Sequence, residues 1–377
     1  MSVTGRNAPS LPRPVGAVPA TADGSVLPIL ECHMVVETDW QFFQIFGDID
    51  AARTYALELL GAVSDRYREQ LGVILTIPFL ELWTTSSDPW SSPELGDTYD
   101  LLLEFQSAWG PIFGGNPPMV GDEYHFLSGA LIGGGIAYLP GLCDHDYGFA
   151  VSANLAGLTP LPIAVGPLNW DFVVVAHETG HNFGAPHTHD YCPPLDECAP
   201  DGYFGGCQTE QVCTDQGTIM SYCHLCDGGF LNETTYFHPQ SVADMRAGAE
   251  GCLQPFEGVL VADLGFAKAG AGGTPSLAIS YTPGTLHLDG AKLPPGKPGT
   301  LFLSTSLLLA PFKGGVLVPD ASFMVPLAVP AGGALPLAVP VTFSVPSGLV
   351  AYAQEWFKDT GPGYAATNGV RFELIVP

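Results

Sequence analysis

Residues 177–187 read His-Glu-Thr-Gly-His-Asn-Phe-Gly-Ala-Pro-His, and this stretch decides what kind of domain the chain can build. His177 and His181 are four positions apart, so on a helix both imidazoles lie on one face, about one turn apart. Their ring nitrogens can then reach one zinc ion at roughly 2 Å. Glu178 points slightly aside, where a carboxylate can hold a water molecule rather than the metal. The spacing predicts a helical zinc site with an adjacent general base.

The end of the same stretch supplies a third ligand. Gly184 has no Cβ, so it can turn the chain in a left-handed conformation and end the helix. The turned chain brings His187 back toward the first two histidines. Three protein ligands leave a fourth position open for water, which is typical of catalytic rather than structural zinc sites. The complete pattern should arise by chance in on the order of one sequence in ten thousand, which disfavours ordinary core or surface histidines.

A methionine motif lies downstream, where residues 217–223 read Gly-Thr-Ile-Met-Ser-Tyr-Cys. The long histidine pattern followed by a methionine turn is the metzincin signature, and the chain resembles the metzincin metalloendopeptidases. The resemblance implies that Met220 forms an apolar floor under the zinc without binding it. From families such as astacins and serralysins, it also implies that Tyr222 approaches the metal or the transition-state oxyanion. The alternative for this tyrosine is an aromatic wall of the pocket.

Within the metzincins, the chain is most similar to the reprolysin (adamalysin) branch in its bacterial secreted versions, over roughly residues 29–256. The similarity rests on the stretch 180–187, on the strand 134–139 shortly before Cys143, and on a terminal helix with Cys252. In that family a cysteine after the edge strand pairs with one at the last helix. The resemblance therefore implies a Cys143–Cys252 disulfide.

The chain departs from the reprolysin pattern directly after the third histidine. Reprolysins usually place an aspartate there, whereas Thr188, His189 and Asp190 follow here. His189 is a competing ligand, but the spacing favours His187. This difference bears on the assignment to the reprolysin branch and on the geometry of the loop after His187. It leaves the predicted zinc ligands unchanged.

Residues 133–139, Gly-Gly-Gly-Ile-Ala-Tyr-Leu, predict a glycine-led strand. In metzincins a strand at the lower edge of the sheet pairs with extended substrate, and the resemblance gives this role to Gly135, Ile136, Ala137 and Tyr138. Glycines there would let a peptide backbone approach closely. A plain strand after a glycine loop is an equally open alternative.

Length and composition limit the class of protein. A chain of 377 residues suits two domains, and its 46% hydrophobic content is ample for packed cores. Only 13% of residues are charged, and 46 glycines and 35 prolines favour turns and β-structure. The net charge of −26 argues against binding nucleic acid or anionic membrane through a general field. No stretch of 18 apolar residues exists, so the sequence predicts no transmembrane span.

Nine cysteines carry information on the compartment. Seven of them fall in the loop-rich region after the zinc helix: Cys192, Cys198, Cys207, Cys213, Cys223, Cys226 and Cys252. This pattern predicts disulfides and an oxidising compartment, and the odd count leaves at least one thiol without an intrachain partner. A second zinc site at the C-x-x-C of 223–226 is the weaker alternative, because no second such pair exists. The start of the chain has no apolar h-region, so we expect a secreted protein whose signal and propeptide are missing from this sequence.

The overall prediction is an α+β (α/β/α) metzincin-like domain with a twisted mixed sheet, followed by an all-β sandwich. Residues 1–28 are interpreted as a flexible Pro/Gly-rich lead, 29–256 as the metallopeptidase domain and 257–377 as the sandwich. Alternation predicts a first strand at 29–38, in which Cys32 and His33 are structural. The other predicted elements are strands at 73–83 and 123–128 and helices at 48–70, 97–109, 172–183 and 238–252.

The predicted function is a secreted zinc endopeptidase that cleaves protein or peptide substrates, with Glu178 as general base and the Tyr222 hydroxyl near the oxyanion. The alternatives are a catalytically silent surface- or matrix-binding protein and a non-peptidase zinc hydrolase. The sandwich carries no chemical motif and could bind a glycan, serve export or attachment, or brace the protease. Other histidines, including His125 and His224, are interpreted as ordinary residues. Calcium is a secondary expectation, without a defined loop, from the acids Asp190, Asp196, Glu197, Asp201, Asp215 and Asp227.

Overall fold

The computed structural model describes residues 27–196, 198, 202, 206–208, 210–341, 348–360 and 363–376. Most of the predicted lead at 1–28, and the acids Glu197 and Asp201, lie outside the described residues. The chain divides into two compact units, of which the first ends at Pro255 and the second begins at Phe256. Among the residues described, no helix combines the length and the apolar character needed to span a bilayer.

The first unit contains helices and one mixed sheet. Its helices are α1 (Trp40–Phe46), α2 (Ile49–Leu71), α3 (Ser92–Leu95), α4 (Thr98–Trp109), α5 (Trp170–Asn182) and α6 (Pro239–Glu250). Its strands are β1 (Leu30–Thr38), β2 (Val73–Leu80), β3 (Glu123–Leu127), β4 (Gly135–Ala137), β5 (Phe149–Ser152) and β6 (Gln254–Pro255). The predicted elements are thus present, with ends shifted by a few residues, whereas α1, α3, β5 and β6 are additions to the prediction.

The sheet has the order β2-β1-β3-β5-β4, with β6 added beside β1. Strands β1, β2, β3 and β5 run parallel to one another, β4 runs antiparallel to β5 at the edge, and β6 pairs antiparallel with β1. An antiparallel edge strand on a parallel sheet is a common mixed arrangement. The predicted glycine-led strand therefore occupies an edge of the sheet.

Helices cover both faces of this sheet, and β1 presents apolar side chains to both faces. Cys32, Met34 and Val36 pack in the core shared with α2, α5 and α6, whereas Val35 packs in the aromatic core under α4. Successive residues of a strand point to opposite faces, so a strand buried on both sides needs apolar residues at both registers. The result is the predicted α/β/α layering.

Local signals at the helix ends agree with the structure. The Asp48 side chain accepts the backbone N–H of Ala51 at 2.9 Å and caps α2, which ends at Gly72 with φ of 68°. Asp97 and Asp100 form a reciprocal capping box at the start of α4. These contacts satisfy the free N–H groups of the first helical turns.

Eight of the nine cysteines form four disulfides, and Cys32 is a buried free thiol in β1. The implied Cys143–Cys252 bond is confirmed. The other pairs are Cys192–Cys207, Cys198–Cys223 and Cys213–Cys226. Because both cysteines of the C-x-x-C at 223–226 are in disulfides, a second zinc site there is excluded in this structure.

The second unit is all-β, as predicted. Its strands are β7 (Gly258–Gly265), β8 (Ser276–Thr282), β9 (Thr285–Ala291), β10 (Pro298–Ser304), β11 (Leu307–Phe312), β12 (Gly315–Pro319), β13 (Phe323–Ala328), β14 (Leu335–Pro340), β15 (Leu349–Lys358), β16 (Tyr364–Ala366) and β17 (Gly369–Ile375). One sheet has the order β13-β10-β15-β17-β7, and a second has the order β14-β9-β8. Side chains from both sheets share one hydrophobic core, which is the arrangement of a β-sandwich.

Glu355 on β15 predicts a pH-dependent stability of this unit. Its side chain is buried, neither carboxyl oxygen has a hydrogen-bond partner among the described residues, and burial raises its pKa to about 8. An unfolded glutamate loses its proton near about pH 4.3, so the unfolded state binds fewer protons between there and pH 8. The free energy of unfolding should therefore fall with rising pH in this window, by at most about 1.4 kcal/mol per pH unit.

Urea unfolding of Glu355→Gln at pH 5 and pH 8 tests this prediction. The variant should lack this part of the pH dependence and should be more stable than the wild type at pH 8. Asp289→Asn, an exposed acid on β9, is the control and should behave as the wild type. Equal pH slopes for Glu355→Gln and the wild type would contradict the prediction.

Candidate active site

Helix α5 carries the first two histidines and is held firmly at its start. The Asp171 carboxylate accepts the N–H groups of Ala156 and Gly157 and the Tyr55 hydroxyl at 2.7 Å. Asn169 occupies the N-cap position, but its side chain donates to the carbonyl of Ala164 instead of capping the first turn. The start of the helix is therefore held by bonds to the preceding loop and not by a side-chain cap.

His177, His181 and His187 form one group, called here the histidine cluster, whose potential ligand atoms lie within 4.8 Å of one another. The Nδ1–H of His177 donates to the Ile219 carbonyl at 2.7 Å, and that of His181 donates to the Ala185 carbonyl at 2.7 Å. These bonds leave Nε2 of both rings free to act as a ligand. Nε2 of His181 lies 3.1 Å from Nε2 of His187.

The electrostatics of the histidine cluster suit a metal ion. Burial and the neighbouring histidines lower the pKa of His181 and His187 to about 4, and they lower the pKa of His177 well below its usual value. All three imidazoles are therefore neutral at physiological pH, which is the form that binds metal. Three neutral nitrogen donors, of which those of His177 and His181 have hydrogen-bonded second nitrogens, fit a zinc ion.

The chain reaches His187 through the predicted turn, since Gly184 has φ of 103°. Nδ1 of His187 lies 3.3 Å from Oδ2 of Asp190, three residues on. Thr188, which stands where reprolysins have aspartate, is fully buried and donates its backbone N–H to the Met220 carbonyl at 3.0 Å. A carboxylate therefore still lies beside the third histidine, but it comes from a later position.

His189 also lies close to the third histidine. The rings of His187 and His189 stack with centroids 5.0 Å apart, and these two residues form a second potential ligand group with Asp190. His189 therefore remains, on its position, an alternative to His187 as a metal ligand. The histidine cluster differs from this group because it brings together two turns of α5 and the following loop.

Met220 is fully buried and packs against α5 at Gly180, which precedes His181 in the sequence. A Cβ at Gly180 on α5 would come within 2.7 Å of the Met220 sulfur, so the glycine permits this close packing. The Tyr222 ring lies 4.6 Å from the ring of His187 and 5.9 Å from that of His177. The structure thus brings both residues of the methionine motif to the cluster.

Glu178 lies between the histidine cluster and the edge strand β4. Its side chain is 5% exposed, and burial raises its pKa well above the usual value. A Cβ placed on Gly135 would overlap the Glu178 carboxyl group. The glycine-led start of β4 is therefore what makes room for this carboxyl group. Of the predicted substrate strand, Gly135, Ile136 and Ala137 are in β4 and Tyr138 follows it directly.

For the peptide hydrolysis that the metzincin resemblance implies, Gly135→Ala should lower the rate by about 100-fold, because the added methyl group must displace the Glu178 carboxyl group by about 1 Å or more. The measurement is kcat/KM on a fluorogenic peptide, with zinc content and Tm recorded for each variant. Gly61→Ala on α2 is the matched control, since a Cβ there meets no atom within 4 Å. A wild-type kcat/KM for Gly135→Ala would show that the carboxyl position is not constrained by β4.

Two sets of polar residues near α5 were given no role in the sequence analysis. The Asn182 amide donates to the carbonyls of Tyr138 at 3.0 Å and Phe149 at 3.2 Å, which ties α5 to the edge of the sheet. Buried His125 joins Ser152 at 2.9 Å to Thr179 of α5 at 3.3 Å. Asn182 lies within the zinc motif, which was the only signal available for it.

A wall of aromatic rings borders the site on the side of the residues after Met220. His224 stacks on Phe230 with centroids 4.9 Å apart, and Trp170 lies 5.8 Å from Phe230. The His224 ring Nδ1 lies 2.9 Å from the buried carboxylate of Glu233. His224, interpreted as ordinary from its spacing, is therefore part of this wall.

Comparison of the chain with known protein families identifies the family to which it belongs. The profile of metallo-peptidase family M12 matches residues 30–236, which is more than half of the chain. The chain belongs to metallo-peptidase family M12. Membership of M12 implies a zinc cofactor and a protein or peptide substrate, in agreement with the histidine cluster. Calcium receives no support from the M12 assignment, and the groups of potential ligands found among the described residues are the two around His187.

Solved structures similar to this M12 chain show low identity. Metalloproteinase-II from Bacteroides fragilis is 13% identical with a TM-score of 0.29, and the match covers 64% of this chain and 58% of that one. Catalytically inactive OgpA from Akkermansia muciniphila, solved with an O-glycopeptide, is 11% identical with a TM-score of 0.32 and 97% coverage of both chains. A chaperone–substrate complex matches at 14% identity with a TM-score of 0.36. That match covers 62% of this chain and 36% of the chain in the complex.

Proposed function

We propose that this chain is a secreted zinc-dependent endopeptidase. The observation that carries the proposal is the histidine cluster, three neutral imidazoles beside the buried carboxyl group of Glu178. A structural zinc site would use four protein ligands, whereas three leave one position for a reactant. His177, His181 and His187 would hold the metal.

A zinc ion in this position supplies Lewis acidity, which polarises a carbonyl group and lowers the pKa of water. A metal ion beside Glu178 would favour its carboxylate form against the effect of burial, and that carboxylate would take a proton from the attacking water and deliver it to the leaving nitrogen. The Tyr222 hydroxyl group donates a hydrogen bond to the developing oxyanion. The ring positions of Tyr222 relative to His177 and His187 support this role.

The edge strand β4 binds the substrate backbone in this proposal. Gly135, Ile136, Ala137 and Tyr138 lie at the outer edge of the sheet, beyond β5, where an extended peptide can pair by strand addition. The contact between Gly135 and Glu178 would bring such a peptide to the general base. An edge strand and a general base in contact favour a polymeric peptide over a small hydrolase substrate.

The four disulfides support the assignment to an extracellular compartment, since such bonds persist in oxidising surroundings. Residues 29–256 form the proposed catalytic domain and 257–377 an accessory β-sandwich. The accessory domain is proposed to bind a surface or a glycan. Its described residues belong to neither of the two potential metal-ligand groups.

The alternative is a catalytically silent surface- or matrix-binding protein that keeps the M12 scaffold. The presence of Glu178 and of all three histidines disfavours it, because a scaffold has no need for a general base. A non-peptidase zinc hydrolase is disfavoured by the position of β4 beside Glu178.

Cleavage of casein and of a peptide library, with and without phenanthroline, distinguishes these functions. The endopeptidase should cleave both, lose activity with the chelator and regain it with added zinc. Cleavage of small esters without peptides would indicate the hydrolase. Zinc binding at one ion per chain without any cleavage would indicate the silent scaffold.

A further inference from the structure

The first unit contains a cleft of about 520 Å³. The cleft lies beside the aromatic core under α4, and some of its lining residues belong to that core. It is called here the Trp–Glu cleft, and its lining includes Trp83, Trp90, Trp109, Glu37 and Glu104. Half of the six tryptophans of the chain thus meet at one place. The volume falls within the roughly 300–1,000 Å³ that is typical of small-molecule sites.

The position of the cleft follows from the topology of the sheet. Glu37 lies near the carboxyl end of β1, and Trp83 follows the carboxyl end of β2, which is parallel to β1. Open sheets bind ligands outside the carboxyl ends of parallel strands. Helix α5, with the histidine cluster, packs in the other core of the unit, on the opposite face. The cleft is therefore separate from the proposed active site.

Glu37 is the most informative residue in the cleft. It is 3% exposed, and one carboxyl oxygen, Oε1, accepts the indole N–H of Trp83 at 2.5 Å and that of Trp90 at 3.4 Å. Burying a carboxyl group costs free energy unless it is paired or bonded. Here the two indoles hold it in a fixed position at a surface lined by aromatic rings.

The charged residues around Glu37 are acidic. Glu104 on α4 accepts hydrogen bonds from Ser91 and Ser92, which outweigh the effect of burial and lower its pKa, so that it is ionised. Glu81 after β2 raises the pKa of Glu37 through its charge, and Asp88 lies in the following loop. No lysine, arginine or histidine is among the residues that line the cleft in the described chain.

We propose that the Trp–Glu cleft binds an organic cation, such as a quaternary ammonium or methylated amine group. Tryptophan is the best aromatic partner for a cation, and the attraction grows when the cation is removed from water. A neutral sugar would also stack on indoles, but it would gain nothing from the charge of Glu104 or from the ionisation of Glu37. The acidic surroundings therefore favour the cation.

The protonation of Glu37 makes the proposal specific. Burial is the largest cause that raises the pKa of Glu37 to about 8, so the carboxyl group is protonated at pH 6.5. A bound cation favours the ionised form, so binding should release up to one proton below pH 8. The affinity should rise with pH by at most about tenfold per unit between pH 6 and pH 8, and level off above.

Isothermal titration of the full chain with choline chloride at constant ionic strength tests the proposal. We expect saturable binding of choline, an enthalpy that depends on the buffer at pH 6.5, and at least about tenfold weaker binding of its neutral isostere 3,3-dimethylbutan-1-ol. Glu37→Gln should weaken choline binding about tenfold or more and abolish the proton release. Trp83→Leu, which keeps the carboxyl group, should also weaken binding.

Glu69→Gln, an acid on α2 that pairs with Arg66, is the matched control and should bind choline as the wild type does. Circular dichroism checks that each variant is folded, and Trp83→Leu provides the test if Glu37→Gln is not. Equal affinity for choline and its neutral isostere would overturn the proposal. So would binding of N-acetylglucosamine or galactose in place of choline, or no choline binding at 50 mM, a concentration on the order of weak small-ligand affinities. None of these outcomes depends on peptidase activity.

Discussion

Glu178→Gln is expected to lower kcat/KM for peptide hydrolysis by about 10²–10⁴-fold, because the amide cannot accept the proton of the attacking water. The amide keeps the shape of the carboxyl group, so the contact with Gly135 and the fold of α5 should persist. The side chain is not among the zinc-ligand group, so the zinc content should stay at one ion per chain. The loss should therefore appear in kcat rather than in metal binding.

The measurement combines a fluorogenic peptide assay with metal analysis by mass spectrometry. Glu250→Gln, a half-exposed acid near the end of α6, serves as the control and should keep wild-type kinetics. A Glu178→Gln or Glu178→Ala enzyme that cleaves peptides at the wild-type rate would refute the mechanism. Normal zinc content together with lost activity also separates this effect from unfolding.

His187→Ala is expected to remove the zinc ion and to abolish peptide hydrolysis. Two imidazoles on α5 remain, but a two-ligand site binds zinc far more weakly than the three-ligand sites of catalytic zinc proteins. His187 is shared by both potential ligand groups, so its loss breaks each of them. The expected zinc content after dialysis is close to zero, against one ion per chain for the wild type.

His189→Ala makes the matched comparison, because His189 stacks on His187 but belongs only to the second group. It should retain most of the zinc and most of the activity. His145→Ala, an exposed histidine, is a second control. Loss of zinc in His189→Ala with retention in His187→Ala would reverse the assignment of the third ligand.

Short-range signals made much of this structure predictable. The spacing of His177 and His181 predicted a helix, and Gly184 predicted its end, because both depend only on helix geometry and on the freedom of glycine. Asp48 and Asp97, the first residues of two predicted helices, cap α2 and α4 because their side chains accept free N–H groups of the first turn. Strand β5 and helix α1 were missed, because short buried runs such as 149–152 have no period that separates strand from helix.

The partners of each site residue were not predictable in the same way. That Gly135 makes room for Glu178, that Asn182 bonds the edge strand, and that Ile219 orients His177 are contacts between distant positions. A single sequence carries no measure of such distances, since they depend on how the sheet and α5 pack. His224 was dismissed for the same reason, although it lies in the aromatic wall of the site.

The sequence by itself determined the chemistry of this protein: three imidazoles and a carboxylate at spacings that one helix and one turn bring together. Tertiary structure alone decided the environment of that chemistry. Packing buried the histidine cluster so that its imidazoles are neutral, placed the Glu178 carboxyl group against β4, and gathered Glu37 with three tryptophans at the Trp–Glu cleft. Helix geometry acts over four residues, whereas burial and charge depend on every element packed around a side chain.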